Sequence, residues 1–318
     1  MDQSSSIYVD QIVIKKLIED KLSKVHHFSE LSYNELKRPV YQNFFTIEKT
    51  TDLYQVDDSR FYFNSPLIDQ FEENNKCYVN YYTNESNTLT DKASIIFLHG
   101  LYDDNRDIYQ FLFKNLMTDY HIYLMTLPYH FERKPKSSLF GGEYFWSAKL
   151  ERSMFAFEQG IYELKQMYYT VKKQTKQPVY IAAFSMGAGI AQGFATLDHQ
   201  FDGMFLINPV CSLSEIVLDS ELCKTVKADL LNSSITIEQV LDIYSQFDPY
   251  HRNTTDQQRK MGLGYGLYDQ ITSPAQYEEL TNIWHFQKII KYKSGHLNIL
   301  RVPRLAKDIH DYFQMTKS

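Results

Sequence analysis

The sequence predicts an α/β fold with a mostly parallel central sheet, helices on both faces of the sheet, and one helical insert. Continuous apolar runs alternate with segments of helical periodicity, which is the pattern of βαβ units. Such runs suit strands that are covered on both faces, because both rows of side chains are then buried. One stretch without a strand pattern, residues 211–256, interrupts the alternation and predicts the insert.

The chain begins with a predicted helical segment, residues 1–45. Apolar residues recur near helical spacing over residues 7–24, and Ser4 to Ser6 offer a cap. The opposite face mixes lysines with Glu19 and Asp20. We therefore expect the helix to pack on the main domain, with a peripheral contact to a membrane surface as the alternative.

The core is predicted over residues 46–210 and 257–318. Two antiparallel strands are expected first, at 60–64 and 77–82, followed by a polar loop at 84–87. The continuous apolar runs come next, at 94–98, 122–127, 179–184 and 204–207, with the longest helix at 150–173. Strands at 261–267 and 289–292 and a terminal helix starting near Val302 or Pro303 complete the core.

The insert contains three segments with helical patterns, at 213–218, 222–231 and 237–247. Thr236 and Gln239 have the spacing of a capping box for the last of them. Ordinary connections between a strand and a helix are far shorter. The insert is therefore predicted to be a helical lid.

Composition limits the class of protein. Of the 318 residues 43% are hydrophobic and 23% charged, and the formal net charge is −6 without a basic stripe, so nucleic acid is not an expected partner. Cys77, Cys211 and Cys223 lack the spacing of a disulfide framework or a zinc site. With neither a long apolar span nor a secretory signal, a cytoplasmic protein is expected.

The segment Ala183-Phe184-Ser185-Met186-Gly187 is the main candidate for a catalytic motif. A nucleophilic serine needs a sharp turn between a strand and a helix, and small neighbours allow that turn to close. An apolar strand precedes this serine and a helix rich in small residues follows it. The alternative is a serine that merely caps a helix.

Residues 90–315 resemble the α/β-hydrolase superfamily. The resemblance depends on His99-Gly100 after an early strand, the Ser185 turn, a loop with Asp269 and a loop with His296, in the order of that family. It implies the α/β-hydrolase fold, a serine mechanism and a lid after the sixth strand. The segment 127–135 is also similar to a loop of some poorly characterised hydrolases of this superfamily.

Ser185 needs a base, and the base needs a carboxylate on its other nitrogen. His296 lies on a turn after the last predicted strand, where the family places its base. Asp269 lies in a proline-bounded loop with room for one helix and one strand before His296. Asp248 in the insert is the competing acid, and Asn208, where some hydrolases carry the acid, is not a carboxylate.

The remaining predicted site residues surround the oxyanion. The backbone N–H groups of Leu101 and Met186 are predicted to form the oxyanion hole. The predicted pocket residues are His99, Gly100, His130, Phe145 and Trp146. Arg133, near His130, is expected either to touch the substrate or the lid, or to lie in a solvated surface loop.

These residues predict a serine carboxylesterase that hydrolyses small to medium acyl esters through an acyl-enzyme. Another acyl hydrolase, such as a thioesterase, amidase or peptidase, and a non-catalytic binding protein with the same fold are the alternatives. The expected partner is a small-molecule ester or lipid. No metal-ligand spacing or nucleotide-binding fingerprint is present in the sequence, so neither a metal nor another cofactor is expected.

Overall fold

The structure is a computed structural model that describes residues 2–28, 33–36, 41–84, 92–248 and 260–317. Within these residues nine strands form one sheet. The strands are β1 Tyr54–Asp57, β2 Arg60–Asn64, β3 Lys76–Tyr82, β4 Ala93–Leu98, β5 Tyr120–Met125, β6 Val179–Phe184, β7 Gly203–Ile207, β8 Met261–Gly266 and β9 Lys288–Tyr292.

The sheet runs in the order β1-β2-β3-β5-β4-β6-β7-β8-β9. The six strands from β5 to β9 in this order are parallel, while β1, β2 and β3 pair antiparallel and β3 is antiparallel to β5. Every residue of β4, β5, β6, β7 and β8 is buried. This burial explains the continuous apolar runs, and the predicted fold class is confirmed.

Ten α-helices are described around the sheet. They are α1 Gln3–Asp20, α2 Tyr33–Leu36, α3 Gln110–Leu116, α4 Leu150–Thr175, α5 Met186–Leu197, α6 Leu213–Asp219, α7 Lys224–Leu231, α8 Ile237–Ser245, α9 Pro274–Ile283 and α10 Leu305–Thr316. Helices α4 and α5 pack on the face that carries Ile96 and Leu98. Helices α3 and α10 cover the other face, where Ile95 and Phe97 point.

The ends of several helices differ from the prediction. Helix α1 begins four residues earlier than expected because Asp2 caps it, its carboxylate accepting the Ser5 N–H at 2.8 Å. The prediction that Ser4 to Ser6 provide the cap is therefore wrong. A 3-10 turn over Leu22–Lys24 replaces the last part of the predicted helix.

Three helices, α6, α7 and α8, occupy the predicted insert, and Thr236 and Gln239 form the expected capping box at the start of α8. Residues 249–256 of the insert, and residues 85–87 of the predicted polar loop, lie outside the described residues. The terminal helix α10 begins at Leu305, slightly later than predicted.

Candidate active site

Ser185 lies at a sharp turn between β6 and α5. Its backbone has φ 53° and ψ −119°, a conformation that a residue with a side chain rarely adopts. The turn is tight, because a Cβ added at Gly187 would lie 2.7 Å from the carbonyl carbon of Leu98. A glycine is thus required at 187, whereas Ala183 fits at the other flank with its side chain fully buried.

A chain of hydrogen bonds connects Ser185, His296 and Asp269. The Ser185 Oγ lies 2.9 Å from His296 Nε2, and the His296 Nδ1 lies 2.7 Å from Asp269 Oδ2. All three side chains are buried. Because a carboxylate can only accept, Nδ1 carries the proton and Nε2 is left to accept from the serine hydroxyl.

The loop around Asp269 fixes the orientation of its carboxylate. Oδ1 accepts the backbone N–H groups of Ile271 at 2.8 Å and Thr272 at 2.9 Å. The Tyr277 hydroxyl donates to Oδ2 at 2.6 Å. The carboxylate therefore bonds both its own loop and His296.

Asp248, the competing acid, has a different set of partners. Its Oδ2 accepts from the Ser212 hydroxyl, the Leu213 N–H and the Ser214 hydroxyl at 3.1 to 3.2 Å, at the start of α6. Asp248 thus stabilises the N-terminus of α6.

Asn208 contributes to the site although it cannot act as the acid. Its Nδ2 donates to the carbonyl oxygens of Gly295, at 3.2 Å, and His296, at 2.9 Å. Its Oδ1 accepts the Gly266 N–H at 2.8 Å. The amide therefore ties the loop that carries His296 to the end of β8.

His296 has an electrostatic environment that favours its protonated form. Burial by itself lowers the pKa of the imidazole, but the carboxylates of Asp269 and Asp10 outweigh it, with a smaller contribution from Asp103. The net pKa of His296 is therefore raised above its usual value. This direction suits a base that must hold a proton during a reaction.

Leu101 and Met186 both line the cavity at Ser185. Among the described residues neither N–H donates a hydrogen bond to another group of the protein. Met186 is also the first residue of α5, so its N–H adds to the positive end of the helix dipole. Both groups are thus free to bind an anionic oxygen.

An apolar cavity of about 480 Å³ opens at Ser185 and His296. Of the predicted pocket residues, Gly100 and Trp146 line it. The insert contributes Ile216 and Leu222. Helix α1 contributes one wall through Val9, Val13, Leu17 and the adjoining Lys21.

His99, His130 and Phe145 do not line this cavity, contrary to the prediction. His99 donates from Nδ1 to the Gly100 carbonyl at 2.7 Å and accepts the Leu127 N–H at 3.0 Å. His130 Nε2 accepts the Tyr102 N–H at 3.1 Å, and Phe145 packs behind it. The two histidines hold the backbone on either side of Leu101, because their rings bond main-chain groups.

Burial keeps both of these histidines neutral. It lowers the pKa of His130 to about 3 and that of His99 well below its usual value. Neither ring can therefore serve as a second general base near pH 7.

Arg133 is fully buried, so both expectations for it are wrong. Its guanidinium makes two hydrogen bonds of 2.7 Å to the carboxylate of Glu163. It also donates to the carbonyl oxygens of Thr126 and Asn74. The residue holds the loop after β5 against α4 and does not face the cavity.

Asp10 was not predicted as a site residue, yet it lies next to His296. Its Oδ2 accepts the His296 N–H at 2.6 Å. The signal was present in the sequence: Asp10 falls between Ile7 and Ile14 on the apolar stripe of the first helix. An acid on such a stripe is buried and needs partners.

In the described part of the chain, no group of three or more His, Cys, Asp or Glu side chains is arranged to hold a metal ion. Among the helices described, none has the length and apolar character needed to cross a membrane.

No protein-family model and no curated protein sequence matches the chain. Solved structures, in contrast, do match the chain. An acetyl xylan esterase from Paenibacillus sp. R4 has a TM-score of 0.62 at 11% identity, over 89% of this chain and 92% of that one. Acetyl xylan esterase 1 from Thermoanaerobacterium sp. JW/SL YS485 has a TM-score of 0.56 at 15% identity, over 92% and 100%.

A soluble variant of the monoglyceride lipase from Saccharomyces cerevisiae, in complex with a substrate analogue, has a TM-score of 0.54 at 12% identity. The match covers 85% of this chain and 98% of that one. At such low identity these likenesses concern the fold alone, and they show that this chain has the α/β-hydrolase fold.

Proposed function

We propose that this α/β-hydrolase-fold chain is a serine carboxylesterase that hydrolyses small to medium acyl esters through an acyl-enzyme intermediate. Ser185 is the nucleophile, His296 the general base and Asp269 the acid that orients it. The backbone N–H groups of Leu101 and Met186 form the oxyanion hole.

The observation that carries the proposal is the hydrogen-bond chain from Ser185 through His296 to Asp269, at 2.9 Å and 2.7 Å, beside an apolar cavity. A nucleophile bonded to a base, and a base bonded to a carboxylate, is the arrangement that serine hydrolases of unrelated folds share. The rare backbone conformation of Ser185 is a second support, because strain of this kind is concentrated at functional sites.

In the acylation step the Ser185 Oγ attacks the ester carbonyl while its proton passes to His296 Nε2. The carbonyl oxygen becomes an oxyanion, which accepts from the N–H groups of Leu101 and Met186. The imidazolium is stabilised by Asp269 on its other side. When the C–O bond to the leaving alcohol breaks, His296 returns the proton to that alcohol and the acyl group remains on Ser185.

Deacylation repeats these steps with water as the nucleophile. His296 accepts a proton from water, the hydroxide attacks the acyl carbon, and the Ser185 Oγ leaves with the proton from His296. The products are a carboxylic acid and the free enzyme, so the reaction consumes one water and needs no cofactor.

The lining of the cavity supports an acyl group as the part of the substrate that is buried. Apolar side chains dominate it, among them Val13, Ile108, Ile216, Leu222 and Leu300. Each methylene buried there contributes about 0.8 kcal/mol. A cavity of about 480 Å³ holds a chain of limited length, which favours small to medium acyl groups.

The test is labelling of the purified protein with a fluorophosphonate probe, followed by identification of the modified residue. We expect the label on Ser185, and we expect Ser185→Ala to abolish both labelling and hydrolysis of p-nitrophenyl butyrate. Ser59→Ala, an exposed serine in the hairpin between β1 and β2, is the control and should match the wild type.

Two outcomes would reject the proposal in different ways. Ester hydrolysis that persists in Ser185→Ala would show that the nucleophile lies elsewhere. Labelling of Ser185 together with faster cleavage of an amide than of the matched ester would leave the triad intact and assign a different acyl hydrolase.

A further inference from the structure

Helix α1 covers the cavity and is packed firmly against the rest of the chain. Its residues Ile14, Leu17 and Ile18 pack on a buried cluster. That cluster consists of Leu22, Tyr102, Phe140 and Leu222. The helix therefore contacts both the loop after β4 and the turn before α7, beside the cavity that Ser185 also lines.

The carboxylate of Asp10 on this helix bonds the loops of both the base and the acid. Its Oδ2 accepts the N–H of His296 at 2.6 Å, and its Oδ1 accepts that of Leu297 at 3.2 Å. Oδ2 also accepts the N–H of Gln270, the residue after Asp269, at 3.3 Å. One side chain thus holds the loops that carry two of the three proposed catalytic residues.

Neighbouring residues make this contact specific. The Asn298 side chain accepts the Gly295 N–H at 2.6 Å and donates to the Ser6 Oγ, one turn before Asp10, at 3.2 Å. A Cβ added at Gly295 would overlap the carboxylate of Asp10. The loop before His296 is therefore shaped to receive α1, and a glycine is required for that fit.

The burial of the Asp10 carboxylate costs free energy that the packing of α1 alone would not require. The side chain is completely buried, and burying a carboxylate costs free energy that hydrogen bonds must offset. Burial is also the main reason that the pKa of Asp10 is raised, while the His296 N–H lowers it. An apolar residue here would avoid this cost if α1 only had to pack.

We propose that Asp10 is a positioning residue of the active site, which holds the His296 loop and the Asp269 loop in the geometry that catalysis requires. Helix α1 is then a part of the catalytic apparatus and not only a cover. The inference rests on the proposed serine-hydrolase function.

The test is Asp10→Asn in the full-length protein. The amide keeps the shape of the side chain, but in either orientation its NH₂ group faces a backbone N–H donor of the His296 loop, at His296 or at Leu297, so that loop is no longer held in place. We expect kcat for p-nitrophenyl butyrate to fall by about 10²-fold, as for a misplacement of order an ångström, with a much smaller change in KM. Asp20→Asn, which removes an exposed acid at the end of the same helix, should match the wild type.

The pH profile provides a readout that a loss of stability would not move. Asp269, Asp10 and Asp103 face His296, and each raises its pKa. Burial raises the pKa of Asp103 to about 7, and this group is common to all variants. Removing the charge of Asp10 should therefore move the acid limb of kcat/KM to lower pH, whereas Asp20→Asn should leave it in place.

Gly295→Ala is the second variant, and it decides the question if Asp10→Asn does not fold. It keeps the carboxylate but displaces it, and kcat should fall to a similar extent. Wild-type kcat and an unshifted acid limb in either folded variant, even with a lowered Tm, would overturn the inference. If the wild type itself shows no Ser185-dependent hydrolysis, the proposed function fails instead.

Discussion

Nδ1 of His296 lies 2.7 Å from Oδ2 of Asp269, and the same oxygen accepts the Tyr277 hydroxyl at 2.6 Å. The carboxylate therefore selects the tautomer in which Nε2 faces Ser185. We predict that Asp269→Asn lowers kcat by about 10⁴-fold, because an amide favours the wrong tautomer. The measurement is steady-state hydrolysis of a p-nitrophenyl ester by the folded variant.

Asp248→Asn is the matched control for this prediction. Its carboxylate stabilises the start of α6, so the variant should keep kcat within a few fold. Its free energy of unfolding should fall by about 1 to 3 kcal/mol, because a buried acceptor is lost. A large loss of kcat in Asp248→Asn with little change in Asp269→Asn would place the acid in the insert.

The pH dependence of activity follows from the charges around His296. The neutral imidazole is the active form of the base, so kcat/KM should rise with pH through the pKa of His296. Since the carboxylates of Asp269 and Asp10 raise that pKa, the midpoint should lie above 6.5, the ordinary value for a histidine. A kcat/KM that is already constant below pH 6 would contradict His296 as the base.

The sequence predicted the buried strands and the serine turn because their signals are local, whereas β1, which is exposed along its whole length, was not predicted. Strands covered on both faces are continuous apolar runs, and the turn at Ser185 needs a small residue such as Gly187 within two positions. The helix ends were less well predicted, because one side chain such as Asp2 decides where α1 begins. Several neighbouring polar residues could serve as the cap, so the sequence does not show which of them does.

Contacts between distant parts of the chain could not be predicted in this way. Asp10 and His296 are separated by 286 positions, and only the fold brings them together. Arg133 was expected near solvent or substrate. It is buried instead, and the carboxylate of Glu163 on α4 pairs with it in the interior. A charged residue in a loop gives no local sign that its partner is buried.

Arg133 and Glu163 give a prediction about stability. Both side chains are fully buried and form a two-fold hydrogen-bonded pair at 2.7 Å. We predict that Arg133→Met lowers the free energy of unfolding by about 3 to 5 kcal/mol, because Glu163 keeps a buried charge without a partner. Denaturant unfolding measures the change.

The control for this prediction is Arg304→Met, which removes an arginine that is 61% exposed and pairs with Asp308. An exposed pair contributes about 0 to 1 kcal/mol, so the loss should be small. Equal losses of unfolding free energy in the two variants would show that burial does not increase the contribution of the Arg133–Glu163 pair to stability.

The last prediction concerns acyl-chain length and the wall of the cavity that α1 forms. Val13 lines the cavity, whereas its neighbour Ile12 is 45% exposed. Each methylene adds about 0.8 kcal/mol until the cavity is filled. The kcat/KM of the wild type for p-nitrophenyl esters should therefore pass through a maximum at short or medium chain length. Val13→Phe fills part of the cavity and should move this maximum to shorter chains.

Ile12→Phe makes the same kind of change on the solvent side of the same helix, so its maximum should stay where that of the wild type lies. A shift in Val13→Phe but not in Ile12→Phe would assign the acyl group to the space between α1 and Ser185, because only the first ring enters it. A steady rise to the longest chains in the wild type would mean that the substrate extends out of the cavity. An unchanged profile in Val13→Phe would mean that the acyl group binds on another side of Ser185.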